Sequence, residues 1–579
     1  MGVARPARIA LTSCVAIAVA FGFAICAVTF FLVLPLEAQT AQSNSATITS
    51  STELVLIPAV VNNGSGAHIS GLTKEAFVLK QDGKPRPIAI FEEVKTSAAL
   101  VRRAGGEHGT FSNIDPGVAG DTQGNGGYRR LSIIVLDFVN TPPPDQENAR
   151  AALITFLTEV ANSGEPMCLL ALTRGGLTLL HDFTDDPKLL AEGLNRAVNN
   201  TPAIHEEVVD PHHPPGGGLA AALTQLIRDQ QQSEAQQASL ENKQAASITV
   251  QALLQIAKAF RGLPGRKSLI WASSGFSMSL SPGAPLMCDP PCPVHGRDEM
   301  QSSYDNLWKM MSDAQVAIYS VDLRAASAMT PASEEGMRPS DIGDPQFDID
   351  AQAREKTFDT DSTLRLFAEN TGGRAFMGGG NLIQSFHQAV EDDSSYYMLG
   401  YYVNASNTKT GWHNVSLAVH TKGAQIRYRN GFFLSRDTSV SSAQQDIRLA
   451  LASPLNFTGI PVAVTWTERE SGKVPGKTRL HFELVMPANF ASVDDSDQNH
   501  MLVDIAAVAR NSKGESVADL MQRIDTHLKP DGLQQIQHNG MTYRGTLQLA
   551  PGDYVVHLAV RDALGNRIGS VVAPVSIAH

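Results

Sequence analysis

Three histidines and two glutamates crowd one short stretch, His205, Glu206, Glu207, His212 and His213, and histidines beside carboxylates are what a zinc site is built from. A zinc-hydrolase helix spaces them His-Glu-x-x-His. That spacing is missing, and Pro214 and Pro215 follow, so the stretch reads as a solvated loop. Ser273 and Ser274 lie outside any Gly-x-Ser-x-Gly elbow and have no base placed near them. The glycines at 216–218 and 378–380 lack the Lys-Ser/Thr ending of a phosphate loop. Cys288 and Cys292 bracket Asp289-Pro290-Pro291, which suits a short disulfide in an oxidising compartment, whereas zinc would need more ligands than the nearby His295. Cys168 sits in the apolar run Met167 to Leu172 and reads as core. The remaining candidate is Asp137, the one carboxylate closing the run Leu131-Ser132-Ile133-Ile134-Val135-Leu136. Ligands of open α/β sheets bind beyond such strand ends. The plainer role for Asp137 is to cap a helix or bind neighbouring loop amides.

These residues are carried by a regular succession of elements. The run ending at Asp137 predicts a strand buried on both faces. A helix follows over 145–162, then strands at 167–173 and 177–182 and a helix at 187–198. A long Gln-rich helical stretch (219–261) precedes a strand around Ser268–Ala272, a helix at 302–314 and a strand at 316–321. Helices at 362–370 and 381–391 flank Thr371-Gly372-Gly373, a helix C-cap pattern. Alternating helices and buried strands imply an α/β fold with a doubly wound central sheet.

The 579 residues exceed one core. The first 38 read as an export signal: Arg5 and Arg8, an uncharged apolar run from Ile9 to Leu34, and a cleavage site after Ala38. The rival reading is an uncleaved anchor, the only form in which the chain meets a membrane. A small β domain spans 50–95, with Asp82-Gly83 as its hairpin turn. A flexible linker spans 96–128, the central α/β domain with its insertions and trailing strands spans 129–435, and a β-sandwich spans 445–579. The formal net charge of −12 and the lack of a basic stripe exclude nucleic acid.

Several short motifs taken in order resemble the von Willebrand factor A-related family known mainly from acidobacteria. They are Gly265-Arg266-Lys267-Ser268-Leu269-Ile270, Ile318-Tyr319-Ser320-Val321-Asp322, Thr371-Gly372-Gly373-Arg374-Ala375-Phe376, Tyr396-Tyr397-Met398-Leu399-Gly400-Tyr401 and Arg429-Asn430-Gly431-Phe432. The resemblance implies a von Willebrand A-like sheet and an extracytoplasmic protein without an assigned reaction. It also places a degenerate metal-ion-dependent adhesion site at Asp137, Thr141 and Ser274. Val139 stands where the family's Asp-x-Ser-x-Ser loop has a hydroxyl, and Ser274 where its later loop has a carboxylate. Mg²⁺ or another divalent cation would find one carboxylate and neutral oxygens there. The function implied is an exported, non-enzymatic adhesion or assembly protein whose upper loops contact an unknown protein partner. The alternatives are an enzyme or enzyme subunit with its chemistry in 325–360 or near Cys288, and a structural cell-envelope protein.

Overall fold

The computed structural model describes residues 52–96, 109–114, 130–160, 165–198, 218–276, 297–324, 360–378, 380–392, 394–405, 407–435, 441–471 and 475–578. The export signal with its Ala38 cleavage site, the 205–213 stretch, Cys288 and Cys292 lie outside the described residues. No described helix is long and apolar enough to cross a membrane. Everything below concerns the compact unit Glu53–Val403 plus Thr408–His579.

The chain is not an α/β doubly wound protein. Among the described residues strand exceeds helix, and the strands form five sheets, mainly antiparallel, so the fold is a β-rich multi-sheet one. The sequence-based expectation weighted the alternation within 131–321. It missed how many strands outside that stretch pair with one another.

One sheet has six strands: β1 (Ser132–Asp137), β2 (Met167–Thr173), β3 (Gly176–Thr184), β4 (Lys267–Ser273), β5 (Val316–Asp322) and β6 (Arg374–Phe376), in the order β6-β5-β4-β1-β2-β3. Only β3 runs antiparallel to its neighbour. Every residue of β1 is buried because the two-residue period of a strand feeds two cores. Ile133 and Val135 face one core, shared with Trp271, Phe367 and the last turns of helix α3 (Gly218–Phe260). Ile134 and Leu136 face the other, shared with helices α1 (Pro143–Glu159), α2 (Pro187–Val198) and α5 (Leu382–Glu391). Helix α4 (Arg297–Asp313) joins the first core through Tyr304, Leu307 and Trp308.

Two four-stranded antiparallel sheets combine N-terminal strands with strands that follow α5. Ile90–Lys95 pairs with Ser395–Asn404, and Phe77–Gln81 with Gly411–Val419. Tyr396 and Tyr397 are consecutive yet both buried. Tyr397 Oη donates to Ile69 O (2.7 Å) and accepts from Leu72 N (3.0 Å), and Tyr396 Oη accepts from Arg266 N (3.1 Å). Tyr401 is buried as well, and the neighbouring Tyr402 is exposed.

The last two sheets are also four-stranded and antiparallel, with a common core that includes Phe482, Val503, Val556 and Val571. Thr110–Ser112 adds an edge strand to one of them. His557 lies within the other. Burial, helped by nearby Arg510, pushes its pKa down from 6.5 to about 4. The unfolded chain therefore binds this proton more tightly. The contribution of His557 is full above pH 6.5 and is lost as pH falls toward 4. Its partial exposure screens the effect to about 1–2 kcal/mol. Melting curves between pH 7 and 4 are expected to show a smaller acid loss in His557→Gln than in the wild type, and parallel curves would contradict the assignment.

Candidate functional site

The carboxyl ends of β1, β4 and β5 form the upper edge of the six-stranded sheet. Asp137 closes β1 and is 1% exposed. Its Oδ1 accepts hydrogen bonds from Val139 N (3.1 Å) and Asn140 N (3.0 Å). Its Oδ2 accepts from Asn140 Nδ2 (2.7 Å), Ser273 Oγ (2.8 Å) and Trp271 Nε1 (3.1 Å). All of these donors are neutral. Burial consequently raises the carboxyl pKa, and the hydrogen bonds from Asn140, Ser273 and Trp271 oppose that rise. The loop amides are thus its partners, and helix α1 begins after Pro142 without a side-chain cap.

From Asp137 the network reaches three segments. Asn140 Nδ2 also donates to Thr249 Oγ1 on α3 (2.8 Å), which donates on to Ala245 O (2.8 Å). Thr141 Oγ1 accepts from Ser274 N (3.1 Å), and Ser274 Oγ donates to Asp145 Oδ2 in the first turn of α1 (3.3 Å). Ser273 Oγ accepts from Gly275 N (2.9 Å). Gly275 has φ +74°, and a Cβ there would stand 2.4 Å from Thr360 Cγ2. The tight turn after β4 therefore needs glycine.

Asp137, Thr141 and Ser274 do meet at one edge. Their arrangement fits a hydrogen-bonded structural carboxylate better than a cation ligand, because a cation would have to displace N–H and O–H donors from Asp137. Ser274 turns its hydroxyl to Asp145 and not to Asp137. Among the described residues no group of three or more His, Cys, Asp or Glu is placed to hold a metal.

A second buried carboxylate stands two strands away. Asp322 ends β5 opposite Ser273. Arg324 grips it with Nε to Oδ1 (2.8 Å) and Nη2 to Oδ2 (2.8 Å), and the same guanidinium pairs with Asp361. Gly378 N donates to Asp322 Oδ2 (3.2 Å). A carboxylate closing an apolar run, with Arg324 two positions on, was the sequence signal for this pair. Thr249 and Trp271 carry no comparable signal. Their parts in the network depend on how α3 and β4 pack.

No family model and no curated protein matches the chain. Among solved structures, a β-glucuronidase from glycoside hydrolase family 2 is 9% identical, covering 31% of this chain and 19% of its own, with a TM-score of 0.14. The BSP domain of a biofilm associated protein is 11% identical, covering 32% of this chain and 43% of its own, with a TM-score of 0.14. The chain spans less than half the length of either, and likeness at this level carries no argument about activity. Neither neighbour indicates a von Willebrand A domain.

Proposed function

We propose that this chain is an exported, non-enzymatic binding or assembly protein that presents the loops above β1 and β4 to a protein partner. The observation behind this reading is the position of Asp137, whose carboxylate ties the 138–140 loop to β4 and, through Asn140, to α3. Its oxygens organise backbone, so the outer faces of these loops are held in one arrangement before a partner arrives. Pre-ordering of this kind lowers the entropic cost of association. Pro142, Pro143 and Pro144 are exposed beside the network and stiffen the same surface. The resemblance to the von Willebrand factor A-related family belongs to this proposal, as does export with cleavage after Ala38.

The test places a photo-crosslinking residue at Pro143 or Pro144 of the full chain in its native host, with Met521, 55% exposed on the C-terminal sheet, as the control position. The expected result is a discrete protein adduct from the loop positions, absent from the control, on a mature chain whose first residue is Gln39. A cytoplasmic chain with an intact N-terminus, or adducts equally frequent at Met521, would sink the reading.

A further inference from the structure

At the opposite edge of the six-stranded sheet, where Gln315 leads the chain from α4 into β5, lies a cleft of about 270 Å³. Arg429 lines it. This residue is only 7% exposed, and among the described residues its guanidinium makes no hydrogen bond or ion pair. Its Nε is buried without a partner. Gln315, held at φ +52°, lines the same cleft with a buried Oε1 that likewise has no donor. Burial pushes the Arg429 pKa down to about 10, against the pull of Asp313, Tyr401 and Glu53, so it stays charged at neutral pH.

The other charges at the cleft do not neutralise it. Asp313 is shared between Lys309 (3.0 Å) and Arg261 (3.5 Å). With Arg429 and with Glu53 at the margin, the lining carries three cations and two carboxylates. Most of the lining is polar, and Leu54 and Phe433 supply an apolar part of it. A buried cation without a counter-charge opposes folding. A planar guanidinium is matched by a carboxylate through two parallel hydrogen bonds.

We propose that this cleft binds an organic carboxylate bearing an apolar side chain and an adjacent hydrogen-bond donor, as a free acylated amino acid or the C-terminus of a peptide would. The carboxylate pairs with the Arg429 guanidinium, the donor meets Gln315 Oε1, and the side chain lies against Leu54 and Phe433. The site is independent of the loops around Asp137, so either proposal can fail without the other.

Calorimetric titration of the mature chain uses N-acetyl-leucine, N-acetylleucinamide, inorganic phosphate and a six-residue peptide ending in leucine. Saturable binding of N-acetyl-leucine with none of the amide supports the site. A peptide that binds tighter identifies a chain terminus as the source, and equal affinities identify the free small molecule. Arg429→Met is expected to weaken binding at least about tenfold, while the unliganded variant melts at or above the wild type, because an uncompensated buried charge has been removed. Leu54→Glu, an exposed change that sets a negative charge beside the ligand carboxylate, is expected to weaken binding while leaving the melt unchanged. No saturable binding by 20 mM, equal binding of the amide, phosphate binding in place of N-acetyl-leucine, or an Arg429→Met chain that melts lower or fails to fold would each overturn the assignment.

Discussion

Asp137→Ala is expected to lower the free energy of unfolding by about 3–5 kcal/mol, since removing one partner of a buried polar cluster leaves the others unsatisfied. Trp271 Nε1, Ser273 Oγ and the amides of Val139 and Asn140 lose their acceptor, and Asn140 Nδ2 keeps only Thr249 Oγ1. Asp137→Asn is expected to cost about half as much, because it keeps the shape and one acceptor oxygen. The sign of the pKa shift supports this order. A carboxyl raised by burial contributes stability below its unfolded value, and that contribution is lost as pH rises through the folded value. The ionised charge itself therefore does not hold the fold; the hydrogen-bond geometry does. Urea unfolding followed by tryptophan fluorescence measures both variants, with the buried Trp271 reporting locally. Equal losses for Ala and Asn would show that charge carries the effect. In the same experiment, millimolar Mg²⁺ is expected to leave the wild-type midpoint unmoved. A rise that vanishes in Asp137→Ala would establish a cation site at Asp137, Thr141 and Ser274.

Gly373→Ala is expected to destabilise the chain by about 3 kcal/mol, at the upper end of what overpacking costs, and to lower the melting midpoint accordingly. A Cβ at Gly373 would lie 1.9 Å from Ile318 O, a backbone atom of β5 that cannot rotate aside. The start of β6 would have to lift away, breaking a register that sets Arg374 opposite Tyr319. Gly372 is constrained differently. Its φ is +80°, and a Cβ would stand 2.8 Å from Arg429 N, so Gly372→Ala adds backbone strain to a close contact. Thr371 completes the corner: its Oγ1 accepts from Ile318 N (2.9 Å) and donates to Phe367 O (2.8 Å). Soluble yield and thermal melts of the two single variants decide the matter. A Gly373→Ala chain within about 0.5 kcal/mol of the wild type would show that the corner relaxes at little cost.

The two glycines illustrate how much was legible. A Gly-Gly pair after an apolar helical segment announces a C-cap, and Gly373 N does donate to Ala368 O (2.9 Å). The requirement for a second glycine comes from Ile318, which no local pattern connects to residue 373. The same holds at Asp137. An apolar run closed by a carboxylate marks a strand end, and the next residues mark a loop and then a helix. That Trp271 and Ser273 supply donors follows from β4 lying beside β1, where Leu136 faces Ala272. The cleft at Arg429 had no sequence signal beyond the Arg-Asn-Gly-Phe motif, because its lining comes from four separate stretches of chain.

By itself the sequence determined the local elements around the site. Strand β2 and helix α2 occupy the residues that hydrophobic periodicity indicates, and α1, α3 and β5 fall within a few residues of theirs. Periodicity records which faces of an element are covered, and covering is a local demand of the apolar side chains. Tertiary structure alone decided what does the covering and which strands share a sheet. Tyr397 reaches Leu72, 325 positions away in the chain, and strands after α5 complete sheets begun before residue 96. Backbone hydrogen bonds carry no residue identity, so an antiparallel partner leaves almost no imprint on the segment it joins. That is why the run from 131 to 321 pointed to an α/β chain while the molecule as a whole is built mainly from antiparallel sheets.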